Sequence, residues 1–166
     1  MYACTAAGGS EADFNAMVSL FRKSDLHEEK DRIMRAGMCS FGEKELLRKS
    51  LDFAISDDVR SQDSVFLIGG VAANRQGRDM AWQFFKENRE MLHERYKSGF
   101  LLSHLVSSVI ERFLTEEKAD MAVKFFEEHP MPGSERKVAQ AVETIRLNCA
   151  WLARDGAAIN KFLSNL

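Results

Sequence analysis

Proline is nearly missing from this 166-residue chain: none precedes Pro130, and only Pro132 follows. Nothing therefore removes backbone donors or forces a helix to end before that point. Cysteine is scarce and odd in number. Cys4, Cys39 and Cys149 lie far apart, which excludes a disulfide framework and a Cys-x-x-Cys metal knuckle and points to a reducing, cytoplasmic setting. Charge of one sign is not in excess either: the formal net charge is -2 at pH 7, leaving no footprint for nucleic acid or an anionic membrane. Apolar runs such as Ser64 to Ala73 fall far below the ~20 residues that span a bilayer. Met1 to Asp13 has neither the basic nor the apolar region of a secretory signal. The four histidines lack ligand spacing: four residues after His27 stands Asp31, four after His93 stands Lys97, and His104 and His129 have no neighbouring ligand at helical distance.

What is present is a helical period. Apolar residues make up 45% of the sequence, enough for one core, and they recur at three and four. Ser10 with Asp13 is expected to cap a helix carrying Phe14, Met17, Val18 and Phe21 on one face, and Asp25 with Glu28 a second one with Ile33 and Met34 inward. Further helices are predicted from about Glu43 to Ile55 and from Gln62 to Ala73, the latter apolar nearly all round and so buried. A long helix from Gln76 to Lys97 would carry Ala81, Phe85, Leu92 and Tyr96 on one stripe. Then follow Phe100 to Phe113, Glu116 to Glu128, Ser134 to Ala153 with Ser134 as N-cap, and a short terminal helix from Ala157 to Leu166. Neighbours pair into hairpins of roughly 30 to 40 residues without residue-level repetition, so the predicted fold is all-α, an irregular α-solenoid of HEAT-like helical hairpins over residues 1–166.

Several features admit a sharper reading. Gly69-Gly70 follows no strand and lacks a phosphate-loop framework, so it reads as close helix packing. Trp82, Phe84 and Phe85 stand at helical spacing and read as core rather than a peptide surface. Cys149 sits on the apolar stripe of Val138, Val142 and Ile145 and reads as a buried, inert thiol. The polar segment Asn74-Arg75-Gln76-Gly77-Arg78 between two apolar helices is the candidate binding site: backbone donors at a helix start and two guanidinium groups can hold a carboxylate. The competing reading pairs Arg78 with Asp63 and leaves Arg75 solvated.

One series of residues carries more than periodicity. Arg60, Gln62 and Asp63, then Gly70-Val71-Ala72 and Asn74, Gly77-Arg78, Ala81-Trp82 and Phe84, Asn88, Tyr96 and Gly99 stand in a fixed order, continued by Phe125-Phe126-Glu127-x-His129-Pro130 and Asn148-x-Ala150-Trp151-Leu152. In this order and spacing the chain resembles the C-terminal helical domain of puromycin-sensitive-type zinc aminopeptidases, from roughly Gly9 to its end. That family's chemistry needs His-Glu-x-x-His and a Gly-Ala-Met-Glu-Asn strand. Neither is present; Ala36-Gly37-Met38-Cys39 shares letters only.

The resemblance implies a helical portion that encloses the peptide chamber of a metallopeptidase, without catalytic or metal-binding residues of its own. Zinc and the peptide-cleaving centre belong to a catalytic domain in cis that is missing here, and peptide is the partner of the intact enzyme. Arg75 and Arg78 would contact the peptide's C-terminal end. The alternative is a free-standing HEAT-like scaffold that binds a protein; an in-frame His-Glu-x-x-His upstream of Met1 would decide for the first. An end that normally packs on preceding hairpins is expected to leave Met1 to about Cys39 least protected from hydrogen exchange and to promote self-association.

Overall fold

The computed structural model describes residues 1–165, which form α-helices without a strand. In order these are α1 (Tyr2–Ala7), α2 (Glu11–Lys23), α3 (His27–Arg32), α4 (Lys44–Ala54), α5 (Ser61–Ala73), α6 (Arg78–Glu87), α7 (Arg89–Tyr96), α8 (Phe100–Ile110), α9 (Glu116–Glu128) and α10 (Glu135–Leu163). A π turn (Ile33–Gly37) and a 3-10 turn (Met38–Ser40) connect α3 to α4. The all-α expectation is borne out.

The start of α2 follows from local chemistry. The Ser10 hydroxyl accepts from the Asp13 N–H at 3.5 Å, and the Asp13 carboxylate accepts from the Ser10 N–H at 2.8 Å, a reciprocal capping box. These bonds, the one from the Ser10 backbone foremost, hold the Asp13 carboxyl below its usual range. The bond therefore stabilises the fold above the ordinary carboxylate range and is lost as pH falls through the lowered value. Ser10→Ala is expected to cost about 1 kcal/mol in urea denaturation at neutral pH, a difference that narrows once Asp13 is protonated.

The structure corrects four local expectations. Asp25 does not cap α3: the helix begins after Leu26 with no side-chain cap, and the Leu26 N–H bonds to the Ser24 hydroxyl instead. The long helix predicted over Gln76 to Lys97 breaks at Asn88, whose side-chain amide donates to the Phe84 carbonyl at 2.9 Å. A short amide competing for backbone groups ends the ladder there, while Ala81, Phe85, Leu92 and Tyr96 stay buried on both sides of the break. Ser134 stands at the N-cap of α10 as expected, but its hydroxyl makes no capping bond and is buried without a partner; Glu135 takes the Gly133 N–H at 2.9 Å, with Gly133 at φ 87°. That left-handed conformation is why glycine stands there. Finally, the two helices predicted over Ser134 to Ala153 and Ala157 onward are one helix of 29 residues. Glycine inside a helix costs about 1 kcal/mol, too little for Gly156 to end a helix already nucleated. The predicted end at Leu166 lies outside the described residues.

Packing centres on α5, against which α4, α6 and α8 lie; α8 in turn packs on α10, and α10 on α9. Val65, Leu67, Ile68, Val71 and Ala72 of α5 are at most 1% exposed, in keeping with its apolar character all round. Gly69 and Gly70 serve close packing as expected: a Cβ on Gly69 would lie 3.1 Å from Ser108, and one on Gly70 only 2.2 Å from the Cys39 sulfur. The buried apolar residues form one cluster from Ala6 to Ile145. Exposed large apolar side chains occur at both ends: Met1, Leu20 and Leu26 near the N-terminus, and Leu147, Trp151, Phe162 and Leu163 of α10, while Phe14, Met17, Phe21, Ile33 and Met34 are buried.

Candidate substrate-binding site

The segment between α5 and α6 is held from below by one side chain. The Asn74 amide donates to the carbonyls of Cys39 and Phe41 at 2.8 and 3.0 Å, and its oxygen accepts from the Gln76 N–H at 2.9 Å. One residue thus closes the turn and ties it to the 3-10 turn after α3. Gly77 has no room for a side chain, since a Cβ there would stand 2.6 Å from the Val71 carbonyl oxygen. Together these contacts fix the backbone from which both candidate arginines project.

Arg75 is exposed and Arg78 half-buried, at the start of α6. Neither joins an ion pair among the described residues, and the expected pairing of Arg78 with Asp63 is not formed. Asp63, buried in the first turn of α5, has the His27 Nδ1 at 4.0 Å instead. The Nε of Arg78 is fully enclosed and has no hydrogen-bond partner. An enclosed donor without an acceptor costs about 1–3 kcal/mol. The site therefore offers a positively charged donor fixed by a rigid turn, with a second cation three residues away.

The histidines stand on separate elements, with His104 against Phe66 at 5.4 Å and His129 against Phe125 at 4.8 Å, and among the described residues no three His, Cys, Asp or Glu side chains converge. The thiols are likewise apart. Cys4 is exposed, Cys39 is buried, and Cys149 is half-buried rather than buried as expected, because α10 leaves the core soon after Ile145. Burial pushes the Cys39 thiol up to about 12, so it is no nucleophile. Trp82, Phe84 and Phe85 are core, each at most 3% exposed.

A further concavity lies elsewhere and escaped the sequence reading. Val123, Phe126, Met131, Val138, Val142 and Leu147 line an apolar groove of about 670 Å³ between α9 and α10. The available signal was a second apolar series on α10, Leu147, Trp151 and Phe162, offset from the stripe of Val138, Val142 and Ile145.

Residues 1–147 match the family model described as the ERAP1-like C-terminal domain. Aminopeptidase M1-B of Oryza sativa subsp. japonica is 32% identical over 148 residues, covering 89% of this chain and 17% of the relative. Aminopeptidase M1 of Arabidopsis thaliana is 30% identical over 142 residues, covering 86% of this chain and 16% of the relative. Aminopeptidase N of Rattus norvegicus is 28% identical over 169 residues, covering 99% and 17%. The chain thus spans about 17% of the length of such relatives, and the resemblance read from Arg60 to Trp151 is borne out. Helical fold, residue order and the match over 1–147 agree: the chain belongs to the ERAP1-like C-terminal domain family.

Proposed function

We propose that this chain is the C-terminal helical portion of an aminopeptidase that trims N-terminal residues from peptides, acting in the cytoplasm beside a catalytic domain in cis. A zinc-activated water in that other domain supplies the hydrolysis. Residues 1–166 form a single domain in this reading, its hairpins following one another as a HEAT-like solenoid whose concave side helps to enclose the peptide. The family match supports the parent enzyme. The observation that carries the site is the half-buried Arg78 side chain, which joins no ion pair among the described residues, on a turn fixed by Asn74.

A peptide's C-terminal carboxylate is the complementary group: its two oxygens accept from the two terminal nitrogens of one guanidinium side by side. Exposed Arg75 adds attraction without a fixed geometry. Such a contact is remote from the scissile bond, so it orients long peptides and does nothing for a single aminoacyl reporter. In the full-length enzyme, Arg78→Ala is expected to lower kcat/KM for free-acid peptides roughly ten- to a hundredfold, the equivalent of one charged hydrogen bond, and Arg75→Ala less. Amidated peptides and the reporter should be spared. Equal losses on peptides and reporter would make both arginines structural and end the carboxylate assignment.

A further inference from the structure

We infer that the groove between α9 and α10 is a docking site for an amphipathic helix of another protein, one whose apolar face is flanked by lysines or arginines. The two helices shape a trough. Along α10 its lining runs from Glu135 to Leu147, twelve residues that rise ~18 Å. Phe126, Met131 and Val142 are buried within it, Val123 and Val138 are half-buried, and Leu147 at one end is 63% exposed. Apolar anchors at i, i+3 or i+4, and i+7 of an incoming helix cover only ~11 Å, so three of them fit along this length. The volume of about 670 Å³ lies within the ~300–1,000 Å³ of ligand sites.

Charge selects the flanks of the partner. Glu127 lines the groove from α9, and Glu135 and Glu143 line it from α10. Among the described residues none of the three joins an ion pair; Glu135 uses one oxygen on the Gly133 N–H. Arg146 is the cation on the lining, and it is already held by Asp120 at 2.9 Å and Glu116 at 3.6 Å. The remaining cations of the two helices are engaged or placed elsewhere. Lys118 reaches Asp79, Lys124 faces Glu128, and Lys137 borders a separate polar hollow together with Glu111 and Glu143. Arg136 is exposed beside Glu135 without lining the groove, and Glu117 is exposed on α9. Even with Arg136 included, five carboxylates (Glu116, Asp120, Glu127, Glu135, Glu143) stand against two guanidinium groups.

The spacing of the carboxylates favours a helix over a small apolar cation. Glu135 and Glu143 stand eight residues apart on α10, ~12 Å along its axis. A partner helix answers both with cations at i and i+7 or i+8 on one flank, whereas a small molecule with a single charge answers one. The projecting part of α10 is not such a helix, since Asp155 takes up Arg154 within the same chain at 2.8 Å and leaves Lys161 alone. An apolar strip between like-charged rims gives the partner its orientation, and the charges speed its approach and reject acidic helices.

The probe is a fluorescently labelled helical peptide of about 14 residues, leucine and lysine at the helical period, with a leucine–glutamate peptide of the same pattern beside it. Both are titrated by anisotropy with the 166-residue chain. The lysine peptide is expected to bind, more weakly as salt is raised, and the glutamate peptide about tenfold less tightly or worse. Glu135→Lys and Glu143→Lys each weaken the lysine peptide about three- to tenfold, and Leu147→Asp about tenfold. Glu28→Lys on α3, away from the groove, leaves it unchanged. All four positions are exposed, so unchanged circular dichroism checks that the fold survives. Equal binding of the two peptides, indifference to the groove variants, or an equal loss in Glu28→Lys would each overturn the docking site. So would a dimer in sedimentation velocity that excludes the peptide, since the groove would then belong to a second copy.

Discussion

Replacing Trp82 by alanine should remove about 3–5 kcal/mol of folding free energy, the largest loss expected from one substitution in this chain. Trp82 is 3% exposed, and its ring is met by Phe125 at 4.8 Å edge-on, Phe85 at 5.8 Å stacked, Phe126 at 6.0 Å and Phe113 at 6.2 Å. Those partners come from α6, α9 and the turn between α8 and α9, so one side chain joins elements that are distant in sequence. Truncation leaves a cavity lined by stiff rings that cannot collapse into it. A domain's total stability is about 5–15 kcal/mol, so the variant stands near the edge of folding. With urea slopes of about 1–3 kcal/mol per molar, its midpoint should fall by roughly 2 M. Trp82→Phe tests the mechanism, since the indole N–H is buried without a partner and no hydrogen bond is lost with it; about 1–2 kcal/mol is expected. A loss below about 1 kcal/mol for Trp82→Ala would show that the cluster is not a packed core.

Gly70→Ala is the second large effect, and here local and tertiary forces oppose each other. Alanine in mid-helix is favoured over glycine by about 1 kcal/mol. Against this, the new Cβ would stand 2.2 Å from the Cys39 sulfur and 3.1 Å from its Cβ. The thiol cannot easily swing away: it donates to the Met34 carbonyl at 3.2 Å and faces that of Leu67 at 3.6 Å. Overpacking of this kind costs about 1–3 kcal/mol or more, so the net is expected to be destabilising by about 2 kcal/mol. Cys39→Ala in the same chain should recover part of it, with a coupling of about 1 kcal/mol. Thiol alkylation gives an independent readout: Cys39 is protected in the parent and should become reactive in Gly70→Ala. Additive single effects, or a stabilised Gly70→Ala, would dismiss the contact.

The series from Arg60 to Trp151 made the family legible, and proline scarcity with a three-to-four apolar period made the helical class legible. Both are properties of neighbours along the chain. Ser10 with Asp13 could be recognised as a cap because the bond closes within one turn. Asp25 with Glu28 offered a comparable capping pattern, yet there the helix starts one residue later. The aromatic core at Trp82 was readable from spacing, but its partners were not, since Phe113, Phe125 and Phe126 reach it only after two further helices have folded back.

What sequence alone determined, then, is which segments are helical, which faces are apolar and which family the order of residues belongs to. The tertiary structure decided where helices break and continue, as at Asn88 and through Gly156. Helix propensities differ by no more than about 1 kcal/mol between such residues, less than the packing of a single buried side chain. It also decided that Arg78 keeps an enclosed N–H without an acceptor while Asp63 turns to His27. Finally, it left α10 beyond Ile145 without a buried residue among the described residues. A side chain's partners depend on what the fold brings within hydrogen-bond reach, and no spacing along the chain specifies that.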